Sequence, residues 1–136
     1  MTACIDLGDS IADGVHAAGP GCLNLAHKGW SSARWYARYR TTRIEADRVV
    51  ISLGSNDRGI DTAPQIEAIR AQIEAARVVW IIPACNARAA RAVETLAARY
   101  GDATLRIRSL SPDRVHPTGR EYRRLARRID FLANSY

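Results

Sequence analysis

Short apolar runs alternate with amphipathic stretches along the chain. Near-continuous apolar runs, such as 49–51 and 78–82, are typical of strands that are covered on both faces, as in a parallel sheet between helix layers. The pattern predicts five strands, which are Ala3–Leu7, Cys22–Leu25, Val49–Leu53, Val78–Ile82 and Thr104–Ile107.

The stretches between these runs carry helix signals. Thr62 and Pro64 predict a helix start, with the threonine as the cap and the proline in the first turn. Ile66, Ile69 and Ile73 then recur on one helical face. For the other predicted helices, the capping residues are Ser31 or Ser32, Asn86, and Thr118 with Glu121.

The alternation of strand and helix favours right-handed crossovers and a parallel sheet. We expect a three-layer α/β/α sandwich with about five parallel strands in the order 2-1-3-4-5. With 136 residues the chain can bury one hydrophobic core, so we expect residues 1–136 to form a single domain. In a sheet of this order the binding crevice lies beyond the carboxyl ends of the strands.

The composition, with 47% hydrophobic and 25% charged residues, is that of a globular protein and argues against disorder. No apolar run approaches the ~20 residues that a membrane span requires, and the N-terminus lacks a signal-like segment. We therefore expect no membrane association and a cytoplasmic location. Release by lysis, or incorporation into a larger particle, remains an open alternative.

The net charge is +6, and Lys28 is the only lysine among the twenty basic residues. A basic protein can attract anionic partners. Because the arginines are scattered across every predicted helix, a solvated surface is the favoured interpretation. No basic stretch interleaved with aromatic residues is present, so nucleic-acid binding is not expected.

Three cysteines, Cys4, Cys22 and Cys85, lie in or beside predicted strands. An odd number cannot pair completely within one chain, and we interpret all three as free thiols in the core rather than as disulfide or metal sites. Ligand spacings such as Cys-x-x-Cys are absent. We expect chemistry that requires neither a metal nor a cofactor.

Four short segments carry residues suited to acyl transfer. The first three follow predicted strands, and the fourth precedes a predicted helix, which would gather them at one end of the sheet. The segments are Gly8-Asp9-Ser10, Gly29, Gly54-Ser55-Asn56-Asp57 and Asp113-Arg114-Val115-His116.

Ser10 is the candidate nucleophile, because it lies where the first strand turns toward a helical segment. A serine hydroxyl attacks an acyl carbon only when a base removes its proton. His116 is the candidate base, and Asp113 can fix its tautomer by accepting from one ring nitrogen. The backbone N–H groups of Ser10 and Gly29 and the side-chain amide of Asn56 are candidate oxyanion donors.

These segments resemble the sequence blocks of the SGNH hydrolases, the GDSL-type esterases and lipases. The resemblance covers almost the whole chain and implies a flavodoxin-like fold. It also implies a Ser10 nucleophile, a His116 base oriented by Asp113, and an oxyanion hole built from Ser10, Gly29 and Asn56. The resemblance is carried by Gly8-Asp9-Ser10-Ile11 with Gly14, by Gly29, by Gly54-x-Asn56-Asp57, and by Asp113–Pro117 with Gly119 and Tyr122.

Several residues near these segments are candidates for contacting the substrate. Trp30 follows Gly29 and could stack on a sugar or an aromatic acyl group, and Arg58 could meet an anionic substrate. Asp9 and Asp57 complete this candidate set. Asp6 departs from the family, which keeps this strand position apolar, so it must find a partner or lie at an edge. Trp35 and Trp80 are interpreted as core residues. His16 and His27 could line the crevice, but a surface or core position is the favoured interpretation.

The leading hypothesis is a serine esterase that removes a short acyl group, preferably acetyl, from a small-molecule or carbohydrate ester through an acyl-enzyme at Ser10. The short chain leaves little room for a lid, which favours an open site. The alternative is a non-catalytic module that binds a glycan or acyl ligand on the same fold.

Overall fold

Strands and helices alternate strictly in the computed structural model, which describes residues 2–134. Each strand is followed by a helix, as the periodicity predicts. The elements are β1 (Thr2–Gly8), α1 (Ser10–Ala18), β2 (Leu23–Ala26), α2 (Ser32–Tyr39), β3 (Ile44–Ser52), α3 (Thr62–Ala71), β4 (Ile73–Ile82), α4 (Ala87–Tyr100), β5 (Ala103–Arg106) and α5 (Gly119–Asn134).

The five strands form one parallel sheet in the order β2-β1-β3-β4-β5. Helices cover both faces, so the predicted three-layer, flavodoxin-like fold is confirmed. Strand order reverses between β1 and β3, and this is where such folds place a ligand crevice.

Each face of the sheet has its own apolar core. Helices α2, α3 and α4 pack on the face that carries Leu7, Val49 and Ile51. Helices α1 and α5 pack on the opposite face, against Val50 and Ile81. Trp35 and Trp80 are fully buried on the first face, so their prediction as core residues is confirmed.

Strands β3 and β4 begin earlier than predicted, at Ile44 and Ile73. Their first halves mix apolar and charged residues, and they pair with each other in the sheet although they lack the continuous apolar run of a buried strand. Ile73 was expected on the face of α3, but the helix ends at Ala71. Gln72 is the C-cap residue of α3. Its side-chain amide donates hydrogen bonds to the carbonyls of Tyr39 and Thr42.

Three of the predicted helix caps are confirmed. Ser31 accepts from the N–H of Arg34, and Asn86 accepts from that of Ala89. Thr118 accepts from the N–H of Glu121. The capping box predicted with Glu121 is not completed, because the Thr118 N–H donates to the Ser109 carbonyl and the Glu121 carboxylate accepts from Arg108 and Arg124.

The prediction for Thr62 is wrong. Asp61 is the N-cap residue and makes no capping bond, whereas Thr62 is the first residue of α3. The Thr62 hydroxyl instead donates to the carboxylate of Asp57 at 2.7 Å. The side chain therefore holds the preceding loop and not the helix start.

The interpretation of all three cysteines as free core thiols is wrong. Cys4 and Cys22 form a disulfide, and Cys85 is a free cysteine on the surface. Ile5 of β1 pairs with Leu23 of β2, so the two half-cystines come one step earlier on adjacent strands. The bond therefore extends the contact between β1 and the edge strand.

Asp6 has a partner. It lies in β1, which has a strand on each side, and it is only 2% exposed. Its Oδ2 is 3.0 Å from Nδ1 of His16 on α1. Burial raises the pKa of Asp6, while the hydrogen bond to His16 and the charge of Arg48 oppose the rise. Among residues 2–134, no helix combines the length and hydropathy needed to cross a bilayer.

The disulfide should make a large contribution to stability, because it closes a loop with a sequence separation of 18 in the unfolded chain. We expect Cys4→Ser with Cys22→Ser to lower the free energy of unfolding by about 3 kcal/mol. Urea unfolding monitored by tryptophan fluorescence measures this change. Cys85→Ser is the matched control and should leave the midpoint almost unchanged.

Thiol titration provides a second check on the same bond. The unfolded, unreduced chain should show one reactive thiol, and the reduced chain should show all three. Three thiols without reduction would contradict the pairing.

Candidate active site

Three strand ends lie level at the carboxyl edge of the sheet. Gly8, the last residue of β1, pairs with Ala26 of β2 and with Ser52 of β3. The three strands therefore end at the same level of the sheet. Backbone hydrogen bonds between the segments continue for one residue beyond these ends. Asp9 N–H donates to the Ser52 carbonyl, and His27 N–H donates to the Gly8 carbonyl, both at 2.9 Å. The segments that follow therefore start side by side.

Ser10 is the first residue of α1. Asp9 caps this helix by accepting from the N–H of Ile11 at 3.0 Å, so the serine hydroxyl is not needed as a cap. Ser10 Oγ lies 2.8 Å from Nε2 of His116, although 106 positions separate the two residues. The predicted nucleophile and base are therefore within hydrogen-bond distance.

Asp113 lies on the other side of the imidazole. Its Oδ2 is 2.6 Å from His116 Nδ1, and its Oδ1 accepts from the N–H groups of Val115 and His116 at 2.9 Å. The His116 side chain, followed by these N–H groups, lowers the pKa of Asp113 to about 2. An ionised carboxylate only accepts, so the Nδ1 atom carries the proton and Nε2 can accept from Ser10.

The loop between β5 and α5 holds His116, the candidate base, in place. Leu110 and Pro117 form an antiparallel bridge, and Ser111 N–H donates to the His116 carbonyl at 2.7 Å. Arg114 turns the chain with a φ of +59°, which residues other than glycine seldom adopt. His116 and Asp113 remain 41% and 48% exposed at their side chains. The imidazole is thus presented at the surface by a hairpin-like loop.

Two of the candidate oxyanion donors lie close to each other. The Asn56 side-chain N–H donates to the Trp30 carbonyl at 3.1 Å, which places Asn56 beside the segment that carries Gly29. The second N–H of the amide is available for another acceptor. Gly29 has a φ of +79°, and no atom lies within 4 Å of where its side chain would be. Glycine is suited here by its backbone conformation and leaves open space.

Asp57 does not face a substrate, contrary to its place among the candidate contacts. It is 2% exposed. Its carboxylate accepts from the Ser32 N–H at 2.8 Å, from the Ser32 hydroxyl and from the Thr62 hydroxyl. The motif residue thus ties the loop after β3 to the starts of α2 and α3, and it positions neighbouring Asn56.

Asp9 is also corrected from a substrate contact to a buried residue. It is fully buried and caps α1. Burial raises the pKa of Asp9 to about 6, opposed by the hydrogen bond from the Ile11 N–H. Asp9 precedes Ser10 in the sequence, but its carboxyl group points into the protein and stabilises the start of α1.

Trp30 is not a free stacking platform. Its ring stacks on His27 with centroids 3.8 Å apart, and the Arg34 guanidinium lies over it at 4.6 Å. His27 is itself 2.6 Å from the Tyr39 hydroxyl, through Nε2. Burial, followed by the charges of Arg38 and Arg34, lowers the pKa of His27. The tryptophan therefore belongs to a packed aromatic cluster behind Gly29.

A cleft of about 770 Å³ opens beside the candidate oxyanion donors, a volume that can hold a small ligand. Gly29 and Asn56 line one end, together with Val115, the residue before His116. Arg58 and Arg88 line it as well, and both are exposed. Sequence reasoning named Arg58 but missed Arg88, because only the fold brings α4 to this edge.

No group of three His, Cys, Asp or Glu residues in the range 2–134 is arranged to hold a metal ion. Ser10, His116 and Asp113 instead form a chain of side-chain contacts, in which His116 lies between the other two.

No protein-family model matches the chain, and no curated protein matches it either. The roles of the site residues therefore depend on their geometry and on the resemblance of their motifs.

The buried carboxyl of Asp9 should destabilise the fold at neutral pH. Its pKa is 3.8 in a model peptide and about 6 in the folded protein. Below about pH 4 both states are protonated, so the penalty is absent. As pH rises through 6 the penalty develops fully, to about 3 kcal/mol.

We therefore expect Asp9→Asn, which keeps a capping oxygen, to be more stable than the wild type at pH 7.5. The two proteins should converge near pH 4. Urea unfolding across this range measures the difference. A difference that does not change with pH would contradict the assignment.

Proposed function

We propose that the chain is a serine ester hydrolase of the SGNH type, which cleaves short-chain esters through an acyl-enzyme at Ser10. The observation that carries this proposal is the 2.8 Å contact between Ser10 Oγ and His116 Nε2, with Asp113 on the opposite ring nitrogen. A donor–acceptor chain of this kind is what converts a serine hydroxyl into a nucleophile.

In the first step, Ser10 Oγ attacks the ester carbonyl carbon while His116 Nε2 takes the hydroxyl proton. The carbonyl oxygen becomes an oxyanion, for which the N–H groups of Ser10 and Gly29 and the Asn56 amide are the proposed donors. The imidazolium is stabilised by the Asp113 carboxylate. When the tetrahedral intermediate collapses, the alcohol oxygen leaves with the proton from His116, and the acyl group stays on Ser10.

The second step repeats the chemistry with water. His116 takes a proton from the water molecule, whose oxygen attacks the acyl carbon. Collapse of this second intermediate breaks the bond to Ser10 Oγ and returns the proton to it. The products are a carboxylic acid and the free enzyme, and no group outside the chain is consumed except water.

Site geometry supports a small acyl group on a larger molecule. The triad is partly exposed, so an alcohol of considerable size can reach it. A short acyl group, preferably acetyl, is the portion that we propose is transferred to Ser10. A carbohydrate is the proposed alcohol, and this substrate class rests on the resemblance to SGNH hydrolases.

The disulfide bears on where the enzyme would work. Disulfides persist in oxidising environments and are reduced in the cytosol. The Cys4–Cys22 bond therefore favours an oxidising environment over the cytoplasmic location that we expected from the sequence.

Hydrolysis of 4-nitrophenyl acetate tests the proposal. We expect Ser10→Ala and His116→Ala to lower kcat by about 1000-fold or more. Asn56→Ala should lower it by about 100-fold, because one oxyanion donor is lost. Ser109→Ala is a matched serine control, since that side chain is exposed and lies outside the site.

Labelling with a fluorophosphonate separates an enzyme from a binding module. The wild type should be labelled at Ser10, and Ser10→Ala should not be labelled. Folded variants at Ser10 and His116 that retain wild-type turnover would refute the triad.

A further inference from the structure

The cleft beside Asn56 is lined by Val115, the residue before His116, and by the start of α4. Gly29 and Asn56 belong to its wall, so a molecule held by its carbonyl at these donors has room to extend into the cleft. Asn86, Ala87 and Arg88 also line the wall. The cleft therefore lies next to the proposed oxyanion donors Gly29 and Asn56.

Arg58 places a positive charge in this wall. It follows Asp57 in the loop after β3, and its side chain is exposed. Within the described part of the chain it has no ion-pair partner. Asp57, its neighbour, cannot take this role, because its carboxylate faces inward and accepts from Ser32 and Thr62.

Arg88 brings a second cation. It is the second residue of α4 and lies 3.5 Å from Asp61. Both side chains are more than half exposed, at 68% and 57%. A pair this open to solvent is weak, so the guanidinium can be shared with or transferred to a bound anion.

We propose that this cleft binds an anionic group, a carboxylate by preference, on the alcohol portion of the ester, and that Arg58 and Arg88 contact it. The inference rests on the proposed esterase and names the substrate class of that site. Planar guanidinium groups suit carboxylates because they donate paired hydrogen bonds. The net charge of +6 adds a field that attracts such substrates. An acylated acidic sugar combines both features.

Cys85 allows a test that does not depend on catalysis. It lines the same cleft, is exposed, and is free of the disulfide. Its rate of modification by sulfonatoethyl methanethiosulfonate, an anion, can be divided by its rate with the trimethylammonium reagent, a cation. The ratio reports the electrostatic potential in the cleft.

We expect Arg58→Gln with Arg88→Gln to lower this ratio by about tenfold at low salt, and salt should reduce the difference. Arg40→Gln is the matched control. It removes the same charge from the opposite edge of the sheet, near the starts of β3 and β4, and should change the ratio by less than twofold. An unchanged ratio in the double variant would overturn the inference.

Hydrolysis supplies the second test. The substrates are 6-acetoxyhexanoate and its neutral analogue 6-acetoxyhexanamide, with the corresponding butanoate pair to vary the reach. We expect the wild type to prefer the acid in kcat/KM. Each single arginine variant should lower this preference by about threefold and the double variant by about tenfold. Arg40→Gln should keep it.

The two proposals fail in different ways. If 4-nitrophenyl acetate is not cleaved in a manner that requires Ser10, the esterase proposal fails. If that ester is cleaved through Ser10 but the acid is not preferred, or neither acetoxy compound is cleaved, the anion site fails and the esterase remains. Thermal unfolding midpoints of the variants exclude loss of fold as the cause.

Discussion

The register of β1 between β2 and β3 is the constraint on which the candidate site depends. Gly8 is level with Ala26 and Ser52, so the next residues of three segments emerge together. A slip of one residue would turn every side chain of β1 to the opposite face. Leu7 would then leave the core, and Asp6 would lose its contact with His16. The same register that buries the core thus also assembles the site.

The fold and the triad could be predicted because their signals are local. The apolar second halves of β3 and β4 mark buried strands, and Ser10, Asp113 and His116 follow recognisable motifs. The disulfide could not, since pairing depends on which strands are neighbours. Once β2 is placed beside β1, Cys4 and Cys22 meet. The starts of β3 and β4 were missed because charged residues interrupt their apolar positions, so no continuous apolar run marks them.

The acidic residues of the motifs have two different roles, and burial distinguishes them. Asp9 and Asp57 stand next to the proposed nucleophile and oxyanion donor, and a sequence gives no sign of which way a side chain points. Both turn inward, where Asp9 caps α1 and Asp57 accepts from Ser32. The acidic group that touches the imidazole, Asp113, is instead exposed. Asp9 and Asp57 therefore stabilise the loops of the site, whereas Asp113 contacts the imidazole of the proposed base.

The proposed nucleophile and the proposed base belong to regions of unequal local stability. Ser10 starts a helix that packs in the core, whereas His116 lies on a loop in which Pro117 is the one buried residue of 107–118. Segments with few buried contacts open at a lower free energy than the core does. The hairpin can therefore detach while the sheet stays intact. On warming or in mild denaturant, the contact between Ser10 and His116 would be lost first. The spectroscopic signal of the folded sheet would persist.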